Sequence, residues 1–300
     1  MQAVAVEAAL VRNGHEASRA AFVADPGKVR GIVEDARADV VFNLVESVWG
    51  RGVYASFATQ MLTDIGVPFT GASAATIAAT SDKLLAKRLL TGACLPTAPW
   101  SEPPEWRGFN GSGRWIVKAA DEDASLGLDD GAVVTTRDEA DARAKDCAKR
   151  FGGHWFAETF VGGREFNIAV VEREGAPQVL PIGEMVFGDW DESRPRIIGY
   201  AAKWDASTHE YNHTLRVFDW HEKEPGLRET LDRLAKECWS LFGCRGYARV
   251  DIRLDAENRP FILEINANPC LEPDAGFATA ARQAGLSYDE LVCQILCVAR

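Results

Sequence analysis

The stretch that most restricts how this chain can fold is YARVDIRLDAENRPFILEINANP, residues 247–269. Val250, Ile252 and Leu254 alternate with Arg249, Asp251 and Arg253, while Phe261, Leu263 and Ile265 alternate with Ile262, Glu264 and Asn266. Side chains along a strand point to opposite faces in turn, so each run predicts a strand with one core face and one mainly polar face. A turn over Ala256 to Arg259 makes the pair an antiparallel hairpin in which Asp255 faces Pro260, Asp251 faces Glu264 and Arg249 faces Asn266. Two carboxylates at cross-strand distance repel unless something positive lies between them. The residues offer two solutions. Asp, Glu and Asn are oxygen donors of the kind magnesium takes, and so few protein ligands leave room for phosphate oxygens and water. Alternatively, the acids pair with Arg249 and Arg253 on a solvated face. Periodicity alone leaves both open.

The rest of the chain alternates helix and strand signals. A helical stretch at 3–13 stops at Gly14, a strand candidate HEASRAAFV covers 15–23, and a helix lies near 27–37. An apolar strand DVVFNLV follows at 39–45, then a helix at 53–65 stopped by Gly66. Strands separated by such helices predict a parallel sheet with crossover connections. A sheet of that kind normally opens with a strand, whereas this sequence begins inside its first helix; we therefore expect an abbreviated first domain or a misplaced start. From about 81 the pattern changes: the helix SDKLLAKRLL ends at Gly92, four prolines form a loop, and the strand RWIVKAA follows. The strands WFAETF, EFNIAVVE and QVLPIGEM, joined by the turns VGGR and REGAPQ, predict one antiparallel sheet. A long helix at 226–242 carries Leu227, Leu231, Leu234, Ala235, Cys238 and Leu241 on one face, and a helix at 288–299 opens with a capping box of Ser287 and Glu290.

Charge narrows the partners. With 33 basic and 44 acidic residues the formal net charge is −11, which argues against binding along nucleic acid or an anionic membrane while allowing a small basic pocket for one nucleotide. No apolar run approaches the roughly 20 residues of a membrane span, and the start lacks the order of a signal peptide, so the expected location is the cytoplasm. The seven cysteines are scattered without C-x-x-C, which predicts reduced, packed thiols instead of zinc or disulfides. Three lysines are placed to meet phosphates. Lys83 lies in the first turn of a helix, Lys118 interrupts the apolar strand WIVKAA before the loop DEDASLGLDDG, and Lys203 sits in YAAKWD. Each alone also reads as a snorkelling side chain.

Together these pieces resemble the ATP-grasp superfamily and, within it, the D-alanine–D-alanine ligase family. The likeness runs from about residue 39 to 299 and is carried by PFTGAS…SDKLLAKRLL, by Lys118 with Ser125 and Gly127, and by AETFVGGREFNIAV. Tyr200-x-x-Lys203, RVDIRLD…LEINANP and AARQAGLSYDELVCQIL complete it. The resemblance implies an α/β fold that becomes α+β in its C-terminal part. It would comprise an N-terminal domain at 1–73 lacking its first strand, a central ATP-grasp unit at 74–155 and a C-terminal unit at 156–300 with the metal site. It also favours the metal reading of the hairpin, with Asp251, Glu264 and Asn266 as ligands of magnesium, or of manganese in its place.

By the same resemblance, Lys83 and Lys118 hold phosphates of ATP, the loop of Ser125 covers them, and Lys203 reaches the γ-phosphate. Glu158 and Val161 bracket the adenine, Glu165 takes the ribose hydroxyls, and Arg249 stabilises the charged intermediate. The implied reaction phosphorylates a carboxylate, and an amine then displaces the phosphate to form an amide between small amino acids; the resemblance also implies a homodimer. The substrate half departs from the family: Trp49-Gly50-Arg51-Gly52 replaces G-E-D-G, and Cys270 and Ala275 stand where glycine and serine are usual. Glu46 and Cys270 are the candidate substrate contacts. A tailoring ligase acting on a different amino-acid pair, and a nucleotide-binding protein without turnover, are the alternatives.

Overall fold

Two antiparallel sheets face each other across a cleft in the computed structural model, which describes residues 1–110, 113–122, 125–191, 194–199, 202 and 207–300. The smaller sheet has strands β1 (Trp100–Ser101), β2 (Trp115–Ala119), β3 (Val133–Val134) and β4 (Trp155–Thr159), in the order β1-β4-β2-β3. The larger has β5 (Glu165–Arg173), β6 (Ala176–Val179), β7 (Gly183–Phe187), β8 (Thr214–Val217), β9 (Tyr247–Leu254) and β10 (Pro260–Asn266). Its order is β10-β9-β5-β7-β8, with β6 also paired to β5.

The large sheet is amphipathic by its period of two. Phe166, Ile168 and Val170 of β5 and Val250, Ile252 and Leu254 of β9 point to one face, where they pack on Leu231, Leu234, Ala235 and Cys238 of the helix Pro225–Phe242. Pro225 at the first helical position and Gly243 in the left-handed conformation beyond the last delimit that helix. The alternate residues Glu165, Arg253 and Asp251 turn to the cleft. Farther along the same face Ala169 and Val171 are covered by Leu271, Phe277, Leu291 and Ile295 of the C-terminal segment, so only part of the sheet is left open for a site. The helix Tyr288–Cys297 starts at the expected capping box, Ser287 with Glu290.

Three expectations need correction. Among the described residues no strand precedes Trp100: residues 15–23 run without regular structure and mostly exposed, and 39–45 contributes a single parallel bridge, Val41 to Phe69. HEASRAAFV buries no alternating face, so nothing offsets the cost of ordering it beside a neighbour. WFAETF does not pair with EFNIAVVE; β4 belongs to the small sheet and β5 to the large one, and the link of residues 160–164 crosses between them. QVLPIGEM breaks at Leu180–Ile182 into two strands, Pro181 having no N–H for a ladder.

The hairpin itself carries a register shift. Pro260 pairs with Leu254, not Asp255, yet Glu264 pairs with Asp251 and Asn266 with Arg249 as expected, because a bulge lies between Ile262 and Glu264. The core face of β10 is therefore Ile262 and Ile265, both at most 1 % exposed, and Leu263 is released into the cleft.

Candidate functional site

The cleft between the sheets is lined by Lys83, Lys118, Glu158, Glu165, Asp251 and Glu264, with Ile116, Phe160, Val161, Ile197 and Leu263 as its apolar wall. Lys83 is the first residue of the helix Lys83–Gly92, where Asp82 caps by accepting from the N–H groups of Leu84 and Leu85. Its side chain is 5 % exposed; Nζ donates to the carbonyl of Glu122 and lies 3.6 Å from Glu264 Oε2. Lys118 ion-pairs with Glu158. Glu158 is 2 % exposed and is also 2.6 Å from Lys87 Nζ, a contact poorly directed as a hydrogen bond, so Lys87 acts on it chiefly through charge. Burial by itself would push the Glu158 carboxyl up; the two lysines outweigh it and hold the group below the usual carboxylate range. Burial pulls Lys87 down from the usual lysine value, against the pull of Glu158.

Asp251, at 5 % exposure, accepts from Arg249 through both oxygens, at 2.8 Å each, and from Asn167 Nδ2 at 2.9 Å. Arg249 Nη2 also reaches Glu264 at 3.4 Å. Burial, reinforced by the neighbouring Glu264 charge, raises the Asp251 carboxyl even against Arg249. Arg253 turns away from this pair: Nε donates to Glu165 at 2.7 Å and Nη1 to the Val161 carbonyl at 2.9 Å. Of the expected ion pairs with the hairpin's acids, that of Arg249 is present and that of Arg253 is not, and the face is buried, with Asp251 and Arg253 each 5 % exposed. Asn266 Oδ1 accepts from the N–H of Asn268. Among the described residues no three His, Cys, Asp or Glu side chains gather into a metal cage, so a third oxygen beside Asp251 and Glu264 has to come from an amide such as Asn266 or from a ligand.

Ser125, in the left-handed region at φ 57°, donates from Oγ to the Ile198 carbonyl at 2.9 Å, which ties the loop after Lys118 to the segment 194–199. Tyr200 and Lys203 lie outside the described residues. Glu46 and Cys270 are close enough that the Glu46 charge, after burial, helps to raise the Cys270 thiol, and Arg249 faces it in opposition. A thiol raised in this way is no activated nucleophile. Arg51, noted only as a departure, ion-pairs with Asp121 and Glu122, and the N–H of Gly52 donates to Glu122. Sequence reasoning missed Lys87 and Asn167. The first carried a readable signal, since Lys83 and Lys87 are four apart on one helix face.

A two-sheet cleft with lysines at one end and paired carboxylates beside an arginine defines a nucleotide-clasping fold of the ATP-grasp kind. Residues 114–297 match the family model of the D-alanine–D-alanine ligase C-terminus. The D-alanine–D-alanine ligase of Nitrosococcus oceani is 32 % identical over 253 residues, covering 82 % of this chain and 73 % of that protein. An uncharacterised protein of Sinorhizobium fredii is 30 % identical over 262 residues, 87 % of this chain and 74 % of that protein. In three dimensions the chain is similar to the D-alanine–D-alanine ligase of Bacillus anthracis complexed with ATP, with TM-score 0.68, 18 % identity and coverage of 90 % and 82 % of the two chains. The chain belongs to the D-alanine–D-alanine ligase family and is an ATP-dependent carbon–nitrogen ligase.

Proposed function

We propose that this ligase activates a carboxylate as an acyl phosphate at the expense of ATP and joins it to the amine of a second small amino acid. The observation that carries the reading is the convergence of Lys83, Lys118, Asp251 and Glu264 on one cleft, with Arg249 bridging the two carboxylates. Phosphoryl transfer requires charge neutralisation and alignment more than covalent help, which is what such a set supplies. The adenine would lie on the apolar wall, bordered by backbone of Glu158 and Val161, since the Glu158 carboxylate is held by lysines. Glu165 would take the ribose, Lys83 and Lys118 the phosphates, and Lys203 the γ-phosphate.

The residues fit a divalent ion: hard oxygen donors, one of them a carboxyl raised by burial and further by its acidic neighbour, form a place where added positive charge is favourable. Asp251, Glu264 and Asn266 would hold magnesium, which supplies charge neutralisation for the transferring phosphoryl group. Arg249 would donate to the oxyanion formed when the amine attacks. The contact of Ser125 with Ile198 would keep water from the acyl phosphate. Glu46 and Cys270 would border the amino-acid substrates.

The names borne by its relatives make D-alanine with D-alanine the first pair to test. The test is phosphate release from ATP and magnesium over D- and L-amino acids, singly and in pairs, with mass detection of dipeptide. A D-alanyl-D-alanine product supports the family reaction, and release with another pair only would make this a ligase of different substrates. No release with any pair would refute the reading.

A further inference from the structure

Glu158 is shared by two lysines, and only one of them faces the cavity between the sheets. Lys118 of β2 is the diagonal neighbour of Glu158 on β4, because Ile116 stands opposite Glu158 and Lys118 follows two residues on along the same face. It ion-pairs with Glu158 and lines the cavity. Lys87 comes to the same carboxylate from the helix Lys83–Gly92 and is not among the residues that line the cavity. Its Nζ is tethered by hydrogen bonds to Thr97 Oγ1 and the Ala98 carbonyl, at 2.8 Å each, and stands 2.6 Å from Glu158 Oε2. Lys87 therefore cannot follow a ligand, whereas Lys118 can.

Two ammonium groups on one carboxylate leave one positive charge in excess. No second acid is among the groups that act on Lys87 or Glu158. A buried carboxylate is costly to strand, so with Lys118 as its sole partner Glu158 would hold that lysine against any incoming anion. With Lys87 fixed beside it, Glu158 keeps a counterion when Lys118 turns away. The two lysines also repel each other across the carboxylate, and that repulsion falls as Lys118 moves to a phosphate. The excess charge thus resides on the one lysine of the pair that can reach the cavity.

We propose that Lys87 is a positioning residue for nucleotide binding: it neutralises Glu158 so that Lys118 can leave this carboxylate for the phosphates of ATP. The inference rests on the ligase reading above, in which Lys118 is a phosphate ligand. No covalent bond is made or broken in this step. Lys118 exchanges one anion for another, and Glu158 stays paired throughout.

The experiment measures, by calorimetry with magnesium present, the affinities for ATP and for adenosine of the unmodified chain, Lys87→Met, Lys87→Arg, Glu158→Gln and the double variant Lys87→Met/Glu158→Gln. Adenosine keeps the base and ribose contacts and lacks the phosphates, so the ratio of the two affinities isolates the phosphate end of the site. Lys87→Met should lower that ratio by roughly ten- to a hundredfold, the size of a lost charge-assisted hydrogen bond, with adenosine affinity nearly unchanged. Lys87→Arg keeps the charge and should retain most of the ratio. Glu158→Gln removes the competitor for Lys118 and should not lower the ratio, and the double variant should recover what Lys87→Met loses. Equal loss of ATP and adenosine binding in Lys87→Met would make Lys87 a structural support only and overturn the proposal. A double variant no better than Lys87→Met, or a fall in the ratio for Glu158→Gln, would overturn it as well, and the Glu158→Gln arm decides the matter even if Lys87→Met does not fold. An unmodified chain that binds ATP no more tightly than adenosine would refute the nucleotide reading of the cleft itself.

Discussion

Lys87 is the buried charge on which the lysine end of the cleft depends, and Lys87→Met isolates its contribution. Lys87 is 1 % exposed, donates to Thr97 Oγ1 and the Ala98 carbonyl at 2.8 Å each, and ion-pairs with Glu158 at 2.6 Å. Thr97 Oγ1 donates onward to the Ile262 carbonyl of β10, which fixes its lone pairs toward the lysine. Methionine keeps the length and apolar stem but removes the charge and both hydrogen bonds, so Glu158 retains Lys118 alone. Breaking a buried pair by deleting one partner costs about 3–5 kcal/mol. For a chain of this size that corresponds to a fall in melting temperature of roughly 10 °C. The assay is thermal and urea unfolding of the unmodified chain, Lys87→Met, Glu158→Gln and the double variant. Because the cost lies in the charge left behind, the double variant should be less destabilised than the sum of the single ones. A shift of under about 2 °C for Lys87→Met, or strict additivity in the cycle, would refute the account, since a coupled buried pair cannot behave so.

Other outcomes follow from the same geometry. Glu264→Ala should abolish phosphate release while leaving the far-ultraviolet circular dichroism intact, since Glu264 serves the cleft and not the core; magnesium-dependent turnover in that variant would remove it from the metal set. Ser125→Ala loses one hydroxyl contact, to the Ile198 carbonyl, and should lower the rate mildly, so a complete loss would mean that the hydroxyl does more than tie the loop to 194–199. Leu234→Ala empties a 2 % exposed position between the long helix and the large sheet and should cost about 2–5 kcal/mol in urea unfolding with ATP affinity unchanged in the folded protein.

What the sequence made legible was whatever a local period could encode. The long helix of the large unit shows its apolar face as a 3.6-residue stripe, and the capping box at Ser287 is written in four residues, so both are found where expected. The 39–45 stretch is equally apolar and gains only one bridge, because whether a run becomes a strand depends on neighbours that periodicity does not contain. Lys87 escapes notice for the same reason: a lysine in a helix looks solvated until the chain is folded and its partners Thr97, Ala98 and Glu158 can be seen.

The hairpin shows how far pattern can carry and why it stops. Counting back from a four-residue turn pairs Asp251 with Glu264, and the folded chain has that pair, but by a different route. The turn holds one residue more than expected, from Asp255 to Arg259, and the bulge before Glu264 restores the offset. Without the bulge the register at the turn would run on and set Leu263 opposite Asp251, with Glu264 moved to the core face, since a slip of one residue turns every side chain over. A buried carboxylate without a partner there would cost several kcal/mol. The bulge thus does two things at once: it keeps Glu264 in the cleft beside Asp251 and Lys83, and it sends Leu263 to the apolar wall while Ile262 fills the core. An extra residue in one strand is what lets a regular sheet present an acid pair and a hydrophobic slot on the same side.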